Sequence, residues 1–261
     1  MCFAADAVPP DPPGGDTGVE GTPVILTSAD GTRFAAFRAE SPGPAPAGGV
    51  RPGVVILPDV RGLFAFYERL AERFAGVGID AVAIDYFGRT AGTGHRDDDF
   101  EFRSHVAQTT PGGISADVAA AVAHLRSRGR VGAVFTVGFC FGGSNSFLQV
   151  ANFDLTGAIG FYAGMRQRVE GGPTPISEAP RAQVPVLGLF GGADAGIPAE
   201  KVEEFDAALT AAGVEHTVHT YPGAPHSFFD RSYDDYAAEC ADAWRRVLTF
   251  IESHTPTAAR Q

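Results

Sequence analysis

The sequence predicts an α/β fold, with a mostly parallel sheet flanked by helices. Short apolar runs, typical of buried strands, alternate along the chain with segments whose apolar residues recur at helical spacing. Parallel strands need crossover connections, and a sheet covered on both faces has continuously apolar strands. The length of 261 residues fits one large domain of this class.

The first half of the chain begins with a hairpin and continues with strands and helices in turn. The pair Asp30-Gly31, a turn signal, separates two strand-like runs and indicates an antiparallel hairpin. Farther along, apolar residues from Ile114 to Leu125 recur on one face of a helix. We predict strands at 24–27, 33–38, 54–57, 80–84 and 133–137, and helices at 64–75, 114–126 and 141–151.

The second half repeats this alternation. Pro198 suits the start of a helix and Gly213 marks its end. In sheets of this kind, functional groups collect at the carboxyl ends of the strands, so we expect a site in the loops that follow them. We predict strands at 157–162, 184–190 and 215–221, and helices at 198–212 and 234–251.

Residues 21–261 are expected to form one domain, preceded by an N-terminal arm at 1–20. The arm is rich in Pro, Gly and Asp, so we expect it to be mobile or to lie on the surface. A second Pro/Gly-rich stretch at 41–53 is interpreted as a loop, because the strands on both sides belong to one sheet. The segment 91–110 is rich in charged and aromatic residues, and we expect a solvated loop there, with the shaping of a pocket as the alternative.

The charge and the apolar content exclude several classes of protein. The net charge is -11, which argues against binding to nucleic acid or to an anionic membrane. An anionic substrate would therefore need local positive charge. No run of about 18 apolar residues is present, and the N-terminus lacks the basic and apolar regions of a secretory signal.

Three cysteines, Cys2, Cys140 and Cys240, lie far apart in the sequence. A small, odd number of widely spaced cysteines argues against a disulfide framework and suits a reducing compartment. We therefore expect a cytoplasmic protein whose partner is a small molecule.

A nucleophile elbow is indicated by the segment GFCFGG at 138–143. It follows the apolar run AVFTV and precedes a helical segment, the context in which a strand turns sharply into a helix. The glycines suit so tight a turn, and the turn exposes the Cys140 sulfur beside a helix N-terminus, which favours a thiolate and an oxyanion. The N–H groups of Phe141 and of Val60 are candidates for the oxyanion hole. The alternative is that Cys140 is a buried, inert cysteine.

The acid and the base of a triad are expected after Cys140, in that order. Asp194 follows a predicted strand in the segment GGAD, and His226 follows the next strand in PGAPHSF. His226 would accept the Cys140 proton and later protonate the leaving group, while Asp194 orients the imidazole. Taken singly, each is typical of an ordinary loop residue, but three at three strand ends favour catalysis. The competing residues are Asp206, Asp230 and Asp234 for the acid, and His95 and His105 for the base.

With this elbow, the sequence resembles the dienelactone hydrolase family, the carboxymethylenebutenolidases of the α/β-hydrolase superfamily. The resemblance extends over about residues 50–253 and is carried by the segments LPDVRGL, AIDYFGR, VGFCFGG, GFY, GGADAGIP and PHSFFD. The cysteine in the elbow is its most specific feature, since most α/β-hydrolases have serine there. The resemblance implies an α/β-hydrolase fold and the triad Cys140, Asp194 and His226. It further implies hydrolysis of an enol-lactone that carries a carboxylate, with no metal and no organic cofactor.

The same resemblance implies roles for three further residues. Asp59 matches an acidic residue, usually glutamate, that contacts the resting cysteine and helps to activate it, although aspartate is one methylene shorter. Arg89 matches an arginine that binds the substrate carboxylate. A second family arginine follows the histidine, but here that position is Asp230 and Arg231 comes one residue later. This departure leaves the substrate open. The alternatives are a turn residue for Asp59 and a surface cation for Arg89.

Two further hypotheses stand beside a cysteine-dependent hydrolase of small esters or lactones that forms an acyl-thioester. One is a non-catalytic α/β-hydrolase-fold protein that binds a ligand or partner. The other is a related hydrolase of thioesters or other carbonyl compounds. Thiol labelling distinguishes the binding protein from an enzyme, because an inert Cys140 would count against catalysis. Substrate profiling distinguishes the related hydrolase from a hydrolase of esters or lactones.

Overall fold

The central sheet has eight strands. The computed structural model describes residues 7–15, 18–43, 50–97, 99–127, 129–152, 154–230 and 232–256. Within them the strands are β1 Thr22–Thr27, β2 Arg33–Ala39, β3 Arg51–Leu57, β4 Asp80–Ile84, β5 Val131–Phe139, β6 Gly157–Phe161, β7 Val186–Gly191 and β8 His216–Tyr221. Their order across the sheet is β1-β2-β4-β3-β5-β6-β7-β8.

All neighbouring strands from β4 to β8 are parallel, whereas β1 pairs antiparallel with β2 and β2 pairs antiparallel with β4. The predicted hairpin and the predicted mostly parallel sheet are confirmed. Every residue of β4, β6 and β7 is buried, as expected of strands covered on both faces. The edge strands β1 and β8 are half-exposed.

Helices cover both faces of this sheet. They are α1 Ala65–Gly76, α2 Gly88–Ala91, α3 Phe102–Gln108, α4 Pro111–Arg126, α5 Phe141–Phe147, α6 Pro175–Glu178, α7 Ala199–Ala211 and α8 Ala237–His254, with a 3-10 turn at Ala179–Arg181. In β6, Gly157 lies against Phe250 of α8, and Gly160 lies against Phe147 of α5. Because residues three apart in a strand point to opposite faces, α5 and α8 lie on opposite sides of the sheet.

Several predicted elements differ from those observed, and β3 begins at Arg51, inside the stretch at 41–53 that was interpreted as a loop. The helix expected over 141–151 ends at Phe147, because the chain then tightens into turns with i→i+3 hydrogen bonds, such as Asn152 N–H to the Gln149 carbonyl at 2.8 Å. The solvated loop expected at 91–110 is only partly found. Most of it is exposed, but it contains α3 and a buried arginine, Arg96, which pairs with the buried Asp85 at 3.0 Å.

The described part of the N-terminal arm lies on the surface of the domain. The Trp244 indole N–H, in α8, donates to the Pro10 carbonyl at 3.0 Å. Arg73, in α1, pairs with Asp11 at 2.7 Å. Residues 7–15 therefore lie on the surface of the domain, against α1 and α8, which is one of the two arrangements expected for the arm.

None of the helices in the described parts of the chain combines the length and the apolar character that crossing a membrane requires.

Candidate active site

Cys140 lies in the sharp turn between β5 and α5. Its backbone has φ 54° and ψ -109°, a region that residues other than glycine rarely adopt. Its N–H donates to the carbonyl of Phe161, the last residue of β6, at 3.0 Å. The turn therefore holds a half-buried cysteine at the carboxyl end of the sheet and at the start of a helix.

Glycines on both sides of Cys140 make this turn possible. A Cβ at Gly142 would lie 1.9 Å from the carbonyl oxygen of Leu57, at the end of β3. A Cβ at Gly138 would lie 2.0 Å from the carbonyl oxygen of Gly142. Backbone atoms cannot turn aside as a flexible side chain would, so a larger residue at either position would push α5 away from the sheet.

The loops after β7 and β8 carry Asp194 and His226 and are tied to each other. The Ala193 N–H donates to the Ala224 carbonyl at 3.0 Å. The two loops come so close that a Cβ at Gly191 would lie 2.4 Å from that same carbonyl oxygen. The residue before each loop is the end of a strand, so the two side chains emerge at the same edge of the sheet as Cys140.

His226 joins Asp194 to Cys140. Its Nδ1 donates to Asp194 Oδ2 at 2.6 Å. The Asp194 side chain is only 1% exposed, and its other oxygen accepts the Gly196 N–H at 2.8 Å. The Cys140 side chain lies close enough to the imidazole to raise its pKa. The structure thus brings together the three residues that the sequence placed at three separate strand ends.

The surroundings of His226 favour its protonated form. Burial alone lowers its pKa, but the hydrogen bonds to Asp194 and Cys140, with the negative charges of both, outweigh burial and raise the pKa from 6.5 to about 10. An imidazolium held between a carboxylate and a sulfur stabilises a thiolate and can donate a proton to a leaving group.

Tyr162 supports the loop that carries His226. The two rings lie 5.1 Å apart, and the Tyr162 hydroxyl donates to the buried Asp230 at 2.9 Å. Asp230, which lies four residues after His226 in the sequence, therefore accepts a hydrogen bond from Tyr162. Tyr162 itself has φ 35°, a second strained residue at this edge of the sheet.

A cavity of about 730 Å³ opens onto these residues. Cys140, Asp194 and His226 line it, and so do Arg166 and Arg168. The last two belong to the loop that follows β6. A small organic molecule that enters the cavity would meet the sulfur, the imidazole and two guanidinium groups.

The sequence profile of the dienelactone hydrolase family matches residues 34–255. The chain belongs to the dienelactone hydrolase family. A Synechocystis sp. protein named "Putative carboxymethylenebutenolidase" is 31% identical over 214 residues, which cover 78% of this chain and 87% of that protein. An Escherichia coli K12 protein of the same name is 27% identical over 237 residues, covering 87% and 84%.

The fold agrees with this family. A crystal structure named "Putative Dienelactone Hydrolase", from Klebsiella pneumoniae, has a TM-score of 0.74 and 25% sequence identity to this chain. The match covers 88% of this chain and 99% of that one. The protein is therefore an α/β-hydrolase-fold hydrolase of the dienelactone hydrolase family.

The two candidate oxyanion donors belong to different connections, one after β5 and one after β3. Phe141 is the first residue of α5, so its N–H has no acceptor within the helix, and the residue lines the cavity. Val60 does not line the cavity, but it lies in the turn after β3, and the carbonyls of Leu57 and Pro58 in that connection approach α5 at Gly142. Both remain predictions as oxyanion donors.

Asp59, the acid that the family resemblance linked to Cys140, is fully buried beneath the elbow. Its Oδ1 accepts the Arg61 N–H at 2.8 Å, and its own N–H donates to the Tyr67 hydroxyl at 3.0 Å. It is not among the cavity-lining residues. These contacts shape the turn that carries Val60, and an activating role toward Cys140 stays a prediction.

Arg89, the expected binder of a substrate carboxylate, pairs with carboxylates of the protein itself, and its role toward substrate stays a prediction. Its guanidinium pairs with the buried Asp117 through two hydrogen bonds of 2.7 and 3.0 Å, and with Asp30 at 2.9 Å. Arg89 does not line the cavity. Its acidic partners come from the first hairpin turn and from α4, which no sequence motif could pair with it in advance. Arg231, the second arginine considered, lies outside the described residues.

The basic residues that do line the cavity, Arg166 and Arg168, were not singled out from the sequence. They stand in the segment AGMRQRVEGG, which follows GFY at the end of β6. The rule that functional groups collect after parallel strands could have pointed to them, since β6 neighbours the strand that carries the elbow.

None of the competing acids and bases, Asp206, Asp230, Asp234, His95 and His105, lines the cavity. His105 stacks on Phe100 with ring centres 5.0 Å apart, and His216 faces Asp206 at 3.3 Å. The remaining two rivals, His95 and Asp234, are exposed. Cys240 is buried in α8, and burial raises its pKa to about 12, so this thiol is inert at neutral pH.

Arg89→Ala should destabilise the fold rather than weaken the binding of anionic substrates. Removing the guanidinium leaves the buried Asp117 carboxylate without its bidentate partner, at an expected cost of about 3 kcal/mol. Urea unfolding measures this. The matched control is Arg126→Ala, which breaks the exposed pair with Asp154 and should cost less than about 1 kcal/mol. A stable Arg89→Ala protein with a KM raised only for carboxylate-bearing esters would restore the original assignment.

His226→Gln should slow the alkylation of Cys140 by iodoacetamide at pH 7 by about tenfold or more, because the imidazolium that stabilises the thiolate is lost. The His226 pKa of about 10 lies above the ordinary value, so the imidazolium is present at acidic and neutral pH and disappears only as the pH rises through about 10. Labelling of the wild-type protein should therefore be fast already at pH 7.

The rate is measured by peptide mapping, which separates Cys140 from the other two cysteines. His219→Gln serves as the control, because this histidine lies in β8 and faces Asp242 at 4.0 Å. Equal rates for wild type and His226→Gln at pH 7 would mean that His226 does not activate the sulfur.

Proposed function

We propose that this protein hydrolyses a small ester or lactone with Cys140 as the nucleophile, through an acyl-thioester intermediate. The observation that carries this proposal is the Asp194–His226 hydrogen bond beside a cavity that Cys140 also lines, with the sulfur close enough to raise the pKa of the imidazole. A sulfur, an imidazole and a carboxylate in this order form the arrangement of nucleophilic acyl transfer.

In the first half of the reaction, the Cys140 thiolate attacks the carbonyl carbon and the carbonyl π electrons move to the oxygen. The N–H groups of Phe141 and Val60 are the proposed donors to this oxyanion. When the carbonyl re-forms, the bond to the leaving oxygen breaks. His226 gives its Nε2 proton to that oxygen, because its Nδ1 faces Asp194. The products are an acyl-thioester and an alcohol or enol; a lactone keeps both on one molecule.

In the second half, neutral His226 takes a proton from water, and the resulting hydroxide attacks the thioester carbonyl. Collapse of this second tetrahedral intermediate breaks the carbon–sulfur bond and releases the carboxylic acid. The sulfur leaves as a thiolate beside the imidazolium, so the resting pair is restored. Asp194 keeps the imidazole in one tautomer and stabilises its positive charge throughout.

Two alternatives remain distinguishable from this proposal. A non-catalytic binding protein would bind small molecules but show no Cys140-dependent turnover. A thioesterase would use the same triad but prefer acyl-thioesters to oxygen esters. The strained backbone at Cys140 and the nearness of its sulfur to His226 favour catalysis, since strain of this kind is typical of active sites.

Cys140→Ala should abolish turnover of 4-nitrophenyl acetate and of a dienelactone while leaving the fold intact. Alanine lacks the nucleophile, and its small side chain fits the turn. The expected loss in kcat/KM is at least about 10³-fold, as for a removed nucleophile. Circular dichroism and urea unfolding check the fold. Release of 4-nitrophenol measures turnover of the nitrophenyl ester, and disappearance of the dienelactone measures turnover of the lactone.

Cys240→Ala is the matched control, because Cys240 is buried in α8, away from the cavity, and should leave kcat/KM within about twofold of the wild type. Wild-type turnover by Cys140→Ala would refute Cys140 as the nucleophile. Absence of turnover by the wild-type protein on oxygen esters, with turnover of thioesters, would favour the thioesterase instead.

A further inference from the structure

The loop after β6 presents two arginines to the cavity and is held in place at both ends. Near its start, the Ser144 hydroxyl of α5 donates to the Gly164 carbonyl at 2.7 Å. Farther along, the Gln167 side-chain amide donates to the Gly172 carbonyl at 3.0 Å. Between these bonds, Arg166 and Arg168 line the same cavity as Cys140.

Arg168 rests on the elbow itself. Its guanidinium lies 4.3 Å above the centre of the Phe141 ring, which contacts the Tyr86 ring edge to face at 5.1 Å. Stacking on an aromatic face uses the plane of the guanidinium and leaves its N–H groups in that plane available. Stacking thus positions the arginine in the same cavity as the reacting sulfur, and its hydrogen-bond donors stay available for a ligand.

The charges of these two arginines are not neutralised within the described parts of the chain. Neither forms an ion pair there, in contrast to Arg89 and Arg96, which are paired with buried aspartates. Crowding by protein atoms lowers the pKa of Arg168, and the positive charge of Arg166 lowers it further, while the negative charge of Cys140 acts in the opposite sense. Two like charges at one cavity wall repel, and an anion between them would relieve this repulsion.

The position of Arg168 also indicates which part of a substrate the anion belongs to. The leaving group must lie on the side of His226, which protonates it, and that side is formed by Tyr162 and Asp194. Arg168 lies over the ring of Phe141, whose N–H is a proposed donor to the carbonyl oxygen of the acyl group. An anion bound there would be attached to the acyl part of the substrate.

We propose that Arg166 and Arg168 form an anion subsite that binds a carboxylate on the acyl part of the substrate. The substrate class is then a monoester or lactone of a dicarboxylic acid. This inference rests on the proposed function and assigns substrate recognition to the loop after β6 instead of to Arg89. It also supplies the local positive charge that an anionic substrate needs in a protein with a net charge of -11.

A labelling experiment tests the subsite without requiring turnover. Iodoacetate and iodoacetamide both alkylate Cys140 and have nearly the same size, but only iodoacetate carries a carboxylate. The ratio of their labelling rates cancels any change in the reactivity of the sulfur. We expect Arg166→Gln/Arg168→Gln to lower the iodoacetate-to-iodoacetamide ratio by about tenfold, because charge-assisted bonds to a carboxylate are lost. Arg181→Gln, which removes an exposed arginine paired with Glu178, should leave the ratio unchanged.

A turnover experiment then tests whether the bound carboxylate belongs to the acyl part of the substrate or to its leaving group. 4-Nitrophenyl hydrogen adipate carries the carboxylate on its acyl part, and its methyl ester is a neutral counterpart of similar size. The wild-type protein should have a kcat/KM about tenfold higher for the acid than for the methyl ester, and the double variant should lose this preference. In a second pair, 4-acetoxybenzoate and its methyl ester, the carboxylate is on the leaving group, and no such preference is expected.

The outcomes separate this inference from the proposed function. An unchanged labelling ratio in the double variant overturns the subsite, even when Cys140-dependent hydrolysis is intact. A preference confined to the leaving-group pair overturns its placement on the acyl side. Absence of hydrolysis of every ester refutes the proposed function, and the labelling ratio still decides whether the arginines bind an anion.

Discussion

The backbone at Cys140 turns from β5 into α5 within a single residue, and the space needed for this turn constrains its surroundings. With φ at 54°, the residue brings the start of α5 against the end of β3, where a side chain at Gly142 would collide with the Leu57 carbonyl. The same turn points the sulfur toward the loops after β7 and β8. A sulfur held in this way would need little reorganisation to act as the proposed nucleophile, which is the advantage of a preorganised site.

Two groups of arginines perform different tasks around this turn. Arg89 and Arg96 neutralise the buried carboxylates Asp117 and Asp85 and so hold peripheral segments against the sheet. Arg166 and Arg168 lie at the cavity, where solvent reaches them and where no described acidic residue pairs with them. The cavity wall beside the sulfur stays positively charged.

The order of strands and helices and the three loops of the triad could be predicted from the sequence, because these depend on local signals. Apolar periodicity marks the elements, and a cysteine between glycines after a strand marks the elbow. The partner of an arginine is not a local property. Arg89 meets Asp117 and Asp30 only when α4 and the first hairpin assemble around it, so its motif alone could not reveal these partners. The length of α5 likewise depended on turn contacts that periodicity does not record.

The central claim is that Cys140 becomes acylated during turnover. The most direct test is intact-mass and peptide analysis of protein quenched with acid during hydrolysis of 4-nitrophenyl acetate. We predict a mass increase of one acetyl group, located on the peptide that contains Cys140 and removed by hydroxylamine, which cleaves thioesters. Turnover without any acetylated Cys140, even when deacylation is slowed at low pH, would contradict the account.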